Sequence, residues 1–347
     1  MKDRLKKIAP WVGYPVFYLF AFIVFALLTF PYDKLKERVV ASYNASQRET
    51  NGHDELSIGE MSGYWLTGVK MKDVKLLSAS TDPSLPPTEL KIDEATLRFG
   101  ILSLLVGNQN VGFHLKAFDG EIDGNYLVAS KDRSLDCTLV GLDLGQVEPV
   151  ASMIGLPVEG KLDGTIKLTM PDGKASKGSG AVSLEAKDFA VGDGKAKLKG
   201  ALPLPRLSVG SLALVAEAKD GALKITKLAA GGKDLELAGD GRVQLHDIPA
   251  ESICDINLRF KFNDGYRTKN DITKSLFGAP GSATPPLFEL ADPKVKAAKR
   301  PDGFYGWNVR GVIGHPDFVP GSGAGGPSAL PGAPALPGLL AAPKLPQ

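Results

Sequence analysis

GKLDGTIKLTM (160–170), GSGAVSLEAKDF (178–189), GDGKAKLKG (192–200), LSVGSLALVAEAKDG (207–221), ALKITKLAAGG (222–232), KDLELAGDGRVQL (233–245) and CDINLRFKF (254–262) follow one another with short gaps. Each run alternates apolar and polar residues, and most begin or end on Gly or Asp-Gly. A period of two sends successive side chains to opposite faces of a strand. Asp-Gly and Gly-Gly supply the positive φ that tight hairpins need. The stretch therefore predicts an antiparallel β-meander with one apolar face and one Lys/Asp/Glu face. No helical period of useful length interrupts it, which argues against a parallel α/β sheet.

The same period continues upstream. GEMSGYWLTGVKMKDVKLLS (59–78) sets Val69 and Met71, then Val74 and Leu76, against lysines, and reads as a strand pair bending near Gly68. Residues 79–88 hold Pro83, Pro86 and Pro87 and read as a loop. Strands are expected over 90–99, 111–118 and 120–128, with an apolar turn or helix, GILSLLVG, over 100–107 and a small helix or turn over 149–156. Downstream, 271–300 is irregular and proline-bearing. FYGWNVRGVIG (304–314) reads as the last strand, ended by His315-Pro316. Residues 320–347 are mostly Gly, Pro, Ala and Leu with Lys344 as the one charged side chain, the composition of a disordered, partly polyproline tail.

At the other end stands WVGYPVFYLFAFIVFALLTF (11–30), free of charge and long enough to span about 30 Å as a helix. Lys2, Arg4, Lys6 and Lys7 precede it against the single acid Asp3, which orients residues 1–10 to the cytoplasm. Trp11, Tyr14 and Tyr32 lie near its ends, where amphipathic rings favour the membrane interface. A cleaved signal peptide needs small residues at its cleavage site, and Leu-Leu-Thr-Phe-Pro-Tyr (27–32) offers bulky ones. Leu35, Val39 and Tyr43 then mark a short amphipathic helix over 33–46, followed by a polar loop over 47–55. The expected organisation is a transmembrane anchor (11–30), a linker helix and loop (31–55), an elongated mainly-β domain (56–319) and the tail.

The 41 Lys and Arg against 39 Asp and Glu are interspersed, so no basic stripe supports nucleic-acid binding. His53, His114, His246 and His315 are scattered without metal-ligand spacing. The glycine-rich runs at 178 and 192 lack the helix and Lys-Ser/Thr of a phosphate loop, and Asp163-Gly164 and Asp240-Gly241 read as turns rather than calcium loops. No catalytic residue, metal or cofactor is assigned, and a non-enzymatic protein is expected. Cys137 and Cys254 both fall on the apolar phase; a disulfide and two buried small hydrophobes are both open. The apolar phase also holds Leu162, Ile166, Leu168, Val182, Leu184, Leu198, Leu235, Leu237, Val243 and Leu245. These line either a packed core, where the sheet folds over, or an open groove with room for acyl chains.

GYWLTGVKMKDVKL (63–76) and ELKIDEATLRFGILSLLVGNQNVGFHLKAFDGEIDGNY (89–126) resemble the opening strands of AsmA-like envelope proteins. GFYGWNVRGVIGHPDF (303–318) resembles the final strand and proline of the type II secretion system protein N (GspN) family. The resemblance covers about residues 1–319 and rests on turns and alternation. It implies a bacterial inner-membrane protein, single-pass, with a cytoplasmic N-terminus and a periplasmic β-domain. The implied role is an accessory of type II protein secretion that partners the inner membrane and other secretion components. The AsmA-like relation implies the alternative, a β-groove that binds phospholipid acyl chains. Neither implies a catalytic residue.

Overall fold

Strands β1 (Asp54–Tyr64), β2 (Gly68–Ser78), β3 (Thr88–Phe99), β4 (Asn108–Ala117), β5 (Gly120–Ala129), β6 (Asp132–Asp143), β7 (Val158–Met170) and β8 (Ser179–Val191) pair in chain order. After two-residue strands β9 (Lys197–Leu198) and β10 (Leu202–Pro203), the sheet resumes with β11 (Leu207–Lys219), β12 (Ala222–Gly231), β13 (Leu235–Gln244), β14 (Ile253–Phe262), β15 (Tyr305–Val312) and β16 (Asp317–Pro320). The result is one antiparallel 14-stranded sheet whose first and last strands do not meet. This computed structural model describes residues 14–321 apart from 19–20, 23, 26–28, 50–53, 79–87, 101–102, 104–106, 149–155, 196, 199–201, 249–250, 283–284 and 314–315. The expectations for residues 1–10, Trp11 and the tail from 322 on fall outside the described residues, as do most of those for 79–88, 100–107 and 149–156.

The meander is as the alternation predicts, with four differences. GDGKAKLKG supplies only β9, which pairs with β10 in a ladder separate from the main sheet. Asp163-Gly164 and Asp240-Gly241 lie inside β7 and β13 rather than at turns. At the first pair, β6 carries a bulge between Leu139 and Leu142, with Gly141 at φ 65°. The Asp163 carboxylate accepts the Gly141 N–H at 2.8 Å, so this aspartate secures a bulge. The Lys187 ammonium, 2.7 Å away, and that N–H together hold the Asp163 carboxyl below the usual carboxylate range. His315-Pro316 does not end the sheet, because β16 pairs back on β15 from Asp317. The irregular 271–300 region belongs to a set of four short helices, Asp264–Arg267, Asp271–Phe277, Leu287–Ala291 and Pro293–Ala298.

Those helices cover one end of the apolar face. The packed cluster runs along the margin where β7, β11 and β13 begin and β8 and β14 end. It joins Leu144, Val158, Phe189, Leu207, Leu235 and Phe262 to Tyr266, Leu276, Phe277 and Val295 from the helices. Phe262 is its hub, 4.1 Å between ring centroids from Phe277 and 5.8 Å from Phe288. Short helices of four to seven residues cannot stand alone in water, so this packing is what holds them. Two phenols are buried with partners: Tyr266 donates to the Pro205 carbonyl at 2.6 Å, and Tyr305 to the buried Glu289 carboxylate at 2.9 Å. Lys299 meets the same carboxylate oxygen at 2.6 Å.

The opposite edge of the sheet is covered by the helix Tyr32–Glu49. Its half-buried stripe is Tyr32, Leu35, Val40 and Tyr43, close to the expected one except that Val40 replaces Val39, which is exposed. The Asn44 side chain takes both backbone groups of Leu56, accepting its N–H at 2.8 Å and donating to its C=O at 3.3 Å. Lys36 donates to the Gly59 carbonyl at 2.9 Å. A β-edge left bare is a template for unwanted pairing, and this helix occupies one.

Burial holds the Tyr266 and Tyr305 phenols well above the ordinary tyrosine value, with Glu289 adding to the effect at Tyr305. Above about pH 10 the unfolded chain releases these protons and the folded chain keeps them. Stability should therefore fall as pH rises from there, by up to about 1.4 kcal/mol per pH unit for each phenol. Urea unfolding across this range should show a flatter decline for the Tyr266→Phe/Tyr305→Phe double variant; an equal slope would remove the phenols as its cause.

Candidate functional site

The strand register aligns the apolar phase into continuous rows. One row passes through every strand of the sheet: Met61, Met71, Ala95, Leu115, Ile122, Leu139, Gly164, Leu184, Leu214, Leu228, Gly239, Leu258, Trp307 and Pro320. No polar side chain breaks it. A second row, toward the β1–β2 turn, runs from Val69 through Leu97, Phe113, Cys137, Ile166, Val182, Ile225 and Ile256 to Phe318. A third runs from Phe99 through Val111, Tyr126, Leu135, Leu168, Leu223 and Val243 to Cys254. Strands about 4.8 Å apart make the full row about 60 Å long, measured across the sheet.

Burial divides this face into two zones. Along the helix-covered margin, Leu162 and Leu237 pack against the cluster and Leu235 belongs to it. Away from that margin the larger side chains, among them Ile166, Leu168, Val182 and Leu184, are half-buried, and none is part of the packed cluster. Fully buried positions in this zone are mostly small, such as Ala95, Cys137, Ala216 and Ala218, with Val243 and Ile225 beside them. Leu245 lies just past the end of β13 and is half-buried. Leu198 is on β9, off the main sheet, and its side chain is outside the described residues. The sequence phase thus names residues of both zones without separating them, because alternation reports the face and says nothing of what covers it.

Glycines in the rows are slots for neighbouring side chains. A Cβ on Gly164 would fall 2.6 Å from Leu184 Cδ2, and one on Gly124 would collide with the Phe113 ring. Large side chains lean over the missing ones, which keeps the apolar surface of the sheet continuous across these positions.

Cys137 and Cys254 are buried free thiols on β6 and β14. Six strand steps separate them in the sheet order, about 29 Å, against the 7 Å that a disulfide can bridge between Cα atoms. The disulfide alternative is therefore set aside for a single chain in this fold. Burial raises the Cys137 thiol above its ordinary value, as expected of an inert, packed cysteine.

The polar face is laced with ion pairs, including Lys70–Glu94 at 2.7 Å and Arg310–Asp255 at 3.1 Å. It also brings together a pair that the sequence reading missed. His114 Nδ1 and Asp123 Oδ1 lie 2.7 Å apart, directly opposite on β4 and β5, in a cleft of about 480 Å³ also lined by Tyr64, Thr96, Arg98 and Asp136. The signal available was the short turn between 117 and 120, which fixes residues 114 and 123 as partners. No hydrogen bond joins Thr96 to the imidazole among the described residues, and no group of three metal-ligating side chains occurs among them.

Within 14–29 the described residues are helical, and Tyr14, Phe17, Tyr18, Phe22 and Phe25 are exposed. Among the described residues no helix is long and apolar enough to cross a membrane. Tyr32 begins the linker helix, and its ring meets that of Phe30 at a tilt, 4.9 Å between centroids. Comparison with known proteins found no match: no family model, no curated protein and no solved structure corresponds to this chain.

Alkylation should find both thiols unreactive in the native protein and two labels per chain after denaturation without reductant. A denatured, unreduced chain that takes up no label would require a disulfide and a different arrangement of β6 and β14.

Proposed function

We propose that this chain is a non-enzymatic, membrane-anchored envelope protein whose open sheet shields acyl chains along its apolar face. The observation that carries this reading is the unbroken apolar row, most of whose members, Leu184 and Leu214 among them, lie outside the packed cluster that Trp307 touches. A fully packed core would leave such side chains dry against protein. Here they are half-buried, at the mouth of a face whose helical cover stops at one margin. Each methylene of a lipid laid on that face would leave water with a gain of about 0.8 kcal/mol. The 11–30 segment is read as the anchor and the inner membrane as its location, with phospholipid as partner.

The secretion-accessory role, ranked first on sequence, needs exposed edges for partner components rather than an open face. One observation favours it as a second reading. The β16 edge carries exposed Phe318 and Val319 beside the short helix Pro293–Ala298, and another chain could add a strand there.

Leu184 and Leu237 separate the cases. Leu237→Glu puts a carboxylate against the packed cluster and should cost about 3 kcal/mol or more in urea unfolding. Leu184→Glu should keep the fold and lose lipid. With a photo-crosslinking residue in the full chain in its native membrane, position 184 should capture phospholipid and position 183, on the polar face, should not. Equal capture at both, or none at 184, would refute the groove.

A further inference from the structure

We infer that the β1–β2 turn is a second membrane contact, with Trp65 and Leu66 entering the same lipid surface as the 14–30 segment. This rests on the anchored-groove reading and adds where the groove meets the bilayer.

Trp65 is 74% exposed, the most exposed large hydrophobic side chain among the described residues, and Leu66 beside it is 61% exposed. Trp65 holds φ at 53°, a backbone region that bulky L-residues rarely adopt, so the turn spends conformational strain on presenting an indole to solvent. Phe99 is the third apolar side chain at this tip. It is exposed, and its N–H donates to the Thr67 carbonyl at 3.1 Å. At this end of the sheet the β5–β6 turn holds Ser130 and Lys131 and the β11–β12 turn Asp220 and Gly221, while the β13–β14 and β15–β16 connections carry the exposed aliphatic side chains of Ile248 and Ile313. Among the described residues of these turns, Trp65 is the one Phe, Tyr or Trp side chain.

The linker helix fixes where that tip points. Asn44 contacts Leu56, Lys36 contacts Gly59, and the Tyr32 ring lies against Gly63, where an added Cβ would be 2.8 Å from Tyr32 Cζ. The helix thus runs antiparallel to β1, and its first residue sits beside the start of the 65–67 turn. Exposed Phe30 lies two residues before that first residue in the chain, and exposed Phe25 seven before it. The tip and the apolar segment therefore emerge at the same end of the molecule. Tryptophan is the residue best suited to the level of the lipid headgroups, with an apolar ring and one N–H donor.

The arrangement also places a row of the apolar face at the membrane. Phe99 is the first member of the third row, which continues through Val111 and Tyr126. An acyl chain leaving the bilayer beside Trp65 meets Phe99 first and stays on apolar surface thereafter.

The test uses the full chain in vesicles of phosphatidylethanolamine and phosphatidylglycerol, with and without bromine on the acyl chains near the glycerol. Trp11→Phe/Trp307→Phe leaves Trp65 as sole emitter; Trp65→Phe/Trp307→Phe leaves Trp11. The expected result is loss of most Trp65 emission in brominated vesicles. Trp65 unquenched while Trp11 is quenched overturns the turn contact and leaves the anchor standing. Neither quenched overturns both. Trp65 quenched without Trp11 supports the turn and overturns the anchor. A blue-shifted but unquenched Trp65 also overturns the inference and assigns the tip to a protein partner. A spin label on Leu66→Cys, with Cys137 and Cys254 buried, repeats the measurement without tryptophan changes: accessibility to oxygen should exceed accessibility to a polar nickel chelate, and the reverse order overturns the contact.

Discussion

An antiparallel sheet in which strands pair with their chain neighbours, and whose ends never meet, cannot cover its own apolar face by closing. That constraint governs the rest of the molecule. Four short helices cover the face at one margin, through Phe262, Phe277 and Tyr266, and leave the rows through Leu184 and Val182 outside the packed cluster. Backbone hydrogen bonds make the sheet rigid whatever lies on it. The face can therefore be apolar and incompletely covered without the fold depending on the missing cover.

The two edges are treated differently. At β1 the linker helix supplies side-chain amide and ammonium groups to Leu56 and Gly59. At β16 a four-residue strand with Phe318 and Val319 exposed ends the sheet. Shortness is one of the ordinary protections of an edge, and β16 has that one. The two edges thus differ: a long helix packs along β1, and β16 is a short strand with two exposed apolar side chains.

Much of the fold was legible from spacing. Alternation located most strands, and the phase change between Met71 and Val74 marks the point where Asp73 adopts φ 52° inside β2. Asp163-Gly164 and Asp240-Gly241 were misread because Asp-Gly suits a hairpin and a bulged or crowded strand equally well; only the register distinguishes them. The helices from Asp264 to Ala298 were missed because four to seven residues hold too little periodicity to detect, and their stability comes from the aromatic cluster. The apolar face was readable as a set of residues. Its division into packed and uncovered zones was not, since that depends on where a distant segment folds back. The His114–Asp123 pair was invisible until the turn at 118–119 set the pairing.

Sequence-neighbour pairing has a consequence for how the chain acquires its structure. Almost every ladder joins strands a hairpin apart, so contact order within the sheet is low for a β-protein of this size. Each new hairpin needs only the one before it as a template, in the manner of a repeat array. A chain threaded out from its N-terminus can zip strand by strand as it emerges, starting on the linker helix. The aromatic cluster, built from β14, β15 and the helices between them, lies at the C-terminal end of that sequence of hairpins.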